Sequence, residues 1–338
     1  MFVYRSVIRR ILFLLLVFCL PGPLASGQAI DNMASFRMID AKKYIRFHYE
    51  NDYFTATDYY YTQGMNLEVV DPSYHKFPLS KLLIVSNSGK NQYGISLEHN
   101  GYTPTSIESN TILYGDRPFA AALMLKTFAM SCDSLSRFRV TSSLSLGVIG
   151  PAAKGYQMQK TIHGWINATE PLGWQYQIQN DAIVNYEVGI EQSFVQFRRN
   201  TILINGFANG RLGTLNTKLS TGFVIMFGDL NSAIRSVFIR SRRLDPLIQK
   251  KKVSVRFYGQ PMINLVGYDA TLQGGLFNKS SPYTISAGEI ERITFQANYG
   301  LVIEFHALYI EYFKTIISRE FETGLYHRWG GIRIGVKL

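Results

Sequence analysis

Three clusters of polar residues in this 338-residue chain have the composition and spacing that chemistry requires. The first is Glu50-Asn51-Asp52 with Thr55, Thr57 and Asp58, continuing into Tyr61-Thr62-Gln63-Gly64. Carboxylate, amide and hydroxyl oxygens this dense, at a strand end and the turn after it, suit a hard cation such as Ca²⁺. The same residue types also fill ordinary polar hairpin loops. The second cluster is Tyr114-Gly115-Asp116-Arg117-Pro118-Phe119, either an orienting acid–base pair or a turn closed by proline. The third is His163, the only one of six histidines in the one segment that does not read as strands and ordinary turns. A neutral imidazole there can act as a general base, or it can be a packing residue. No Gly-x-Ser-x-Gly elbow occurs and no Ser adjoins His163, so a serine acyl-enzyme is not indicated.

The elements around these clusters read as strands. Alternate residues are apolar in Tyr44–Tyr49, Gly94–Glu98, Val140–Val148, Lys252–Tyr258 and Trp329–Leu338, the period-two pattern of a sheet with two unlike faces. A soluble sandwich alternates too. Strands of about ten residues whose outer positions are rich in Tyr, Phe and Trp instead favour a membrane-spanning barrel. Counting candidates from Tyr44 to Leu338 predicts an antiparallel β-barrel of about 12 strands, all-β apart from one segment. That segment, between Gly150-Pro151 and Trp174, does not alternate, and a short helix or structured loop at the barrel rim is expected. It carries His163. No linker, repeat or low-complexity stretch divides off a second domain.

Composition narrows the setting. Aromatic residues make up 14% of the chain and charged residues 17%, which excludes a disordered protein. Residues 1–27 read as a secretory signal, with Arg5, Arg9 and Arg10 ahead of the apolar run Ile11–Leu20 and a small-residue exit, leaving residues 28–338 as the barrel. Loss of its three arginines lowers the formal charge from +11 to +8. Cys132 is then the only thiol, so neither an intrachain disulfide nor a Cys-rich metal site is expected. For an exported basic protein an anionic membrane surface is the expected partner, and nucleic acid is not.

In order along the chain stand Glu50-Asn51-Asp52-Tyr53-Phe54, Thr57-Asp58-x-Tyr60-Tyr61-Thr62-x-Gly64, Tyr102-Thr103-Pro104, Gly115-Asp116-Arg117-Pro118-Phe119-Ala120, Gly150-Pro151, Gln159-x-x-x-His163, Gly173-Trp174-Gln175-x-Gln177 and Tyr268-Asp269-Ala270-Thr271-Leu272-Gln273-Gly274-Gly275. Through this ordered set the chain resembles the outer-membrane lipid A 3′-O-deacylase family. The resemblance implies a 12-stranded outer-membrane barrel with its site between the wall and an external rim, a lipopolysaccharide substrate, and Ca²⁺-assisted hydrolysis of the ester that holds the 3′ acyloxyacyl chain. Carried over residue by residue, it implies that Asn51, Asp52, Thr62 and His163 build the site. His163 would activate water, Asp52 would hold Ca²⁺, and Asn51 and Thr62 would donate hydrogen bonds or complete the ion's oxygen shell.

The chain departs from the family in one respect. Some members carry a Lys between the Tyr-x-Pro element and Gly-Asp-Arg, whereas no Lys or Arg lies between Lys90 and Arg117 here. Candidates to hold lipid A phosphate in its place are Arg117 with Asp116, and Lys154 and Lys160 beside the His163 segment. The lysines are preferred, because Arg117 adjoins a carboxylate. Two other functions compete: a phospholipase with a Ser nucleophile, and a porin or structural barrel with a decayed site.

Overall fold

The computed structural model describes residues 30–57, 59–86, 90–133, 137–197, 201–230 and 253–338. The expected signal at residues 1–27 and Asp58 lie outside them. Twelve strands form a closed antiparallel barrel: β1 (Tyr44–Asn51), β2 (Tyr60–Val70), β3 (Lys90–Thr103), β4 (Ala120–Asp133), β5 (Phe138–Ile149), β6 (Asp181–Phe197), β7 (Ile202–Gly213), β8 (Asn216–Gly228), β9 (Val253–Asp269), β10 (Ile293–Phe305), β11 (Leu308–Ile317) and β12 (His327–Lys337). Each strand pairs with its sequence neighbours. β1 closes on β12 in a register running from Tyr44 opposite Lys337 to Asn51 opposite Gly330. Closure leaves no unpaired edge, which a spanning sheet requires in lipid. No helix among the described residues is long and apolar enough to cross a membrane.

The two faces separate as the alternation demands. On β1, Arg46, His48 and Glu50 are buried in the lumen while Ile45 and Phe47 are exposed on the outer wall. On β12, Arg333 points in, and Ile334 and Val336 point out. One end of the barrel carries the connections 52–59, 104–119, 150–180, 270–292 and 318–326. The other carries the start of β1, the end of β12, the turn at 306–307 and, among the described residues, one longer connection, from β2 to β3. Transmembrane barrels put their longer loops outside the cell, so the first end is the external rim. The non-alternating segment is the turn Pro151–Ala153 followed by helix α1 (Gly155–Ile166), on that rim as expected.

The segment ahead of β1 fills the lumen, and nothing in its sequence announces this. Residues 30–39, with a turn at Ser35–Arg37, lie almost wholly buried among inward side chains. Asn32 donates to Glu68 (2.6 Å), Ser35 to Glu191, and Arg37 to Glu311 (3.2 Å). Arg46 donates to the carbonyls of Asn32 (2.9 Å) and Arg37 (2.6 Å) as well as to Glu68 (2.8 Å). Phe36 stacks on Tyr258 with centroids 3.8 Å apart, within an apolar cluster that includes Met33, Met38, Ile39, Phe128 and Phe313. Buried charges must be matched by partners, and here the wall and the inserted segment supply one another's.

Candidate active site on the outer wall

The run Glu50-Asn51-Asp52, contiguous in sequence, is divided by the barrel wall. Glu50 faces the lumen, where it accepts from Trp329 Nε1 (3.0 Å) and meets His48 (2.7 Å). Asn51 ends β1 on the outer side. Its Oδ1 accepts from the Tyr53 amide (2.7 Å), while its Nδ2 donates to the Thr62 carbonyl (2.6 Å) and the Tyr49 hydroxyl (3.2 Å). Asn51 therefore caps the turn Asp52–Thr55 and ties it to β2. Asp52 opens that turn and is buried, with its backbone carbonyl accepting from Thr55 Oγ1 (2.9 Å).

Thr62 reaches the outer face through a bulge. Tyr61 pairs with Tyr102 and Gln63 with Gly101, leaving Thr62 as the extra residue. Tyr61 turns inward to Asn100 (3.0 Å), whereas Thr62 and Gln63 lie against the outward face of Gly101. A β-carbon on Gly101 would sit 3.1 Å from Gln63 Cγ and 3.4 Å from Thr62 Cγ2. Only glycine at 101 lets the Thr62 and Gln63 side chains lie this close to the wall.

Helix α1 reaches the wall because its first residue is glycine. A β-carbon at Gly155 would lie 2.5 Å from both the Ala121 methyl and the Trp174 ring, and Ala121 pairs with Gly101. Lys154, just before it, is left-handed at φ 63°. Trp174 Nε1 donates to Gln159 Oε1 (2.7 Å), and His99 Nε2 lies 2.9 Å from the Ala153 carbonyl, fastening helix and preceding turn to the barrel. Eight residues along, His163 Nδ1 is 2.6 Å from the Thr169 carbonyl. A carbonyl can only accept, so the proton sits on Nδ1 and the Nε2 lone pair is left available. The histidine is partly exposed on the rim.

The second cluster builds the rim itself. Asp116 accepts from the Thr105 amide (2.8 Å) and the Arg117 amide (2.7 Å), closing the 104–117 loop. Arg117 is 1% exposed and is committed to Glu320 and Thr271 (2.7 Å), with Tyr102 beneath its guanidinium. The expected competitor for Arg117 was Asp116. The actual one is Glu320, and the contacts of this pair assign both Asp116 and Arg117 to architecture rather than to phosphate. Lys160 is exposed and pairs with Glu170 (2.5 Å); Lys154 is exposed beside the helix start.

The donors near β1 and β2 are all oxygen: the Asp52 carboxylate, Asn51 Oδ1 with one lone pair left after Tyr53, and the Thr62 hydroxyl. No group of three or more His, Cys, Asp or Glu among the described residues could hold a metal by itself. A hard cation bound by one carboxylate plus neutral oxygens fits this set, and a transition metal does not.

A family model described as outer membrane protein LpxR matches residues 11–338. The chain belongs to the LpxR family. Among solved structures, LpxR from Salmonella typhimurium aligns with a TM-score of 0.70 at 19% identity, covering 87% of this chain and 100% of that one. At that identity the likeness speaks for the fold. The β domain of the Bordetella autotransporter Brka aligns at 0.45 and 8% identity, covering 88% and 100%. No curated protein sequence matches. Membership of the LpxR family places the barrel in the outer membrane.

Two features of the candidate site escape a reading of residue types. Gly101 is chemically silent, yet its missing side chain lets Thr62 and Gln63 lie against the wall beside Ala121, on which α1 is seated. His99 passes for an ordinary strand residue. Its neighbours Glu98 and Asn100 point into the lumen, so parity alone puts His99 outside, and a polar residue outside is the signal that something covers it.

Proposed function

We propose that this protein hydrolyses the ester holding the 3′-linked acyloxyacyl chain of lipid A, with Ca²⁺ as cofactor. The observation carrying this reading is the setting of His163: on the rim helix whose start seats on the outer wall, its Nδ1 proton bound to Thr169 and its Nε2 free to accept a proton from water. A lipid substrate in the outer leaflet reaches that position without entering the barrel. Asp52 is the principal residue to hold Ca²⁺, with the second lone pair of Asn51 Oδ1 and the Thr62 hydroxyl beside it. When bound, the ion would polarise the ester carbonyl and stabilise the oxyanion. Asn51 also fixes the position of Asp52 through the turn it caps, and Gly101 lets Thr62 lie close against the wall.

The competing functions lack support. A serine mechanism needs a hydroxyl on the histidine, and among the described residues His163 is hydrogen-bonded to a backbone carbonyl. A porin needs an open lumen, and residues 30–39 occupy this one. Lys154 is the candidate for lipid A phosphate, because Lys160 is already paired with Glu170. The deciding experiment is mass spectrometry of lipid A from cells with the wild-type protein, with His163→Ala, and without the protein. Release of the 3′ chain by wild type, reduced about 10²-fold by the substitution, is expected. Unchanged lipid A in the presence of the wild type rejects the function, and activity of His163→Ala within threefold of wild type removes His163 from it.

A further inference from the structure

The connection from β2 to β3 is at the end of the barrel opposite the active site, and it does not hang free. After Asp71 the chain forms two turns, Pro72–Lys76 and Pro78–Leu82, and runs over the outer wall of β3 to β6. Leu79, Leu83 and Val85 pack there with Tyr93, Ala129, Leu144 and Tyr186. Beneath them the wall is polar where lipid would otherwise touch it. Thr127 meets Ser80 Oγ (3.3 Å), Tyr186 donates to the Leu82 carbonyl (2.7 Å), Ser142 donates to the Ile84 carbonyl (2.8 Å), and Ser131 accepts from the Ser86 amide (2.9 Å). Neither hydroxyls nor irregular backbone tolerate hydrocarbon unpaired. These four wall residues therefore hold the segment against the membrane face of the barrel.

Its other side is two-natured. Leu82 and Ile84 are 60% and 50% exposed, pointing away from the wall. His75, Lys76 and Lys81 are exposed among them, and neither lysine makes an ion pair among the described residues. No Asp or Glu occurs from Pro72 to Leu97, and Asp71 at the edge is neutralised by Lys43 at 2.7 Å. Apolar side chains facing lipid beside uncompensated cations complement a lipid with acyl chains and a negative headgroup.

We propose that this segment seats an anionic phospholipid of the inner leaflet, its phosphate between Lys76 and Lys81 and its acyl chains against Leu82 and Ile84. The proposal does not depend on the catalytic reading. The test uses the full chain in neutral detergent, titrated with short-chain phosphatidylglycerol, phosphatidylcholine or inorganic phosphate and read by native mass spectrometry. Phosphatidylglycerol is expected to bind one-to-one, and Lys76→Gln/Lys81→Gln to weaken that binding about 30-fold, at the contribution each cation makes near an anionic surface. Heat-modifiable gel mobility checks that the variant remains folded. Equal binding of phosphatidylcholine, equal competition by inorganic phosphate, or undiminished binding to the variant overturns the proposal. So does a protein that co-purifies stoichiometrically with wild type and is lost from the variant.

Discussion

Gly155→Ala separates the position of α1 from its formation. The added methyl would lie 2.5 Å from the Ala121 methyl and 2.5 Å from the Trp174 ring. Carbon atoms in contact prefer about 3.5–4.0 Å, so the helix must withdraw from the wall by about 1 Å. Because α1 is one rigid helix, His163 moves with it, and a misplacement of about 1 Å at a reacting group costs on the order of 10²-fold in rate. Helix propensity acts in the opposite direction, since Ala is favoured over Gly by about 0.8–1.0 kcal/mol. The variant should thus keep its heat-modifiable mobility while acyl release falls about 10²-fold. Adding Ala121→Gly removes one of the two clashes, leaves the Trp174 contact and should recover part of the rate. Gly155→Ala with activity within threefold of wild type would show that the seating of α1 does not position the base.

Chelation by EDTA should abolish acyl release and Ca²⁺ should restore it better than Zn²⁺, because the donors at Asp52 are all oxygen; full activity in chelator refutes the ion's role. Burial pushes the Glu320 carboxyl up to about 7 from 4.5, against the opposing pull of Arg117. A raised acid stabilises the folded rim below its ordinary value, and this contribution is lost as pH rises through about 7. Proteolysis of the external loops should therefore speed up from pH 5 to pH 8 in wild type and change less in Glu320→Gln. Wild-type protein should not conduct in planar bilayers, whereas replacing Asn32, Ser35 and Arg37 together by Ala should open measurable channels. A closed triple variant would mean that apolar packing around Phe36 alone keeps the lumen filled.

The barrel was legible because every spanning strand must show lipid one face and the lumen the other, so Ile332, Ile334 and Val336 declare their strand without any knowledge of partners. The rim helix was legible for the converse reason, as the stretch around His163 breaks that rhythm. What alternation cannot supply is partnership across the closed sheet. Arg117 reaches Glu320 over 203 residues and Arg37 reaches Glu311 over 274, so adjacency in sequence suggested the wrong partner for one and none for the other. The candidate site was half legible. Asn51, Asp52, Thr62 and His163 were brought together by the family resemblance, but the bulge that turns Thr62 outward and the glycine that lets it lie against the wall are backbone events with no chemical signature.

The inserted segment also constrains how the barrel is made. Its partners come from β2, β6 and β11, through Glu68, Glu191 and Glu311, so it cannot settle until strands from both halves of the chain are in place. Once β1 has joined β12, only the periplasmic mouth remains for it to enter by. Insertion and seam closure are therefore coupled steps, and a barrel that closes with residues 30–39 left outside strands Glu311 and Arg333 without Arg37's share of their charge balance. A filled lumen therefore depends on strands from both halves of the chain being in place together.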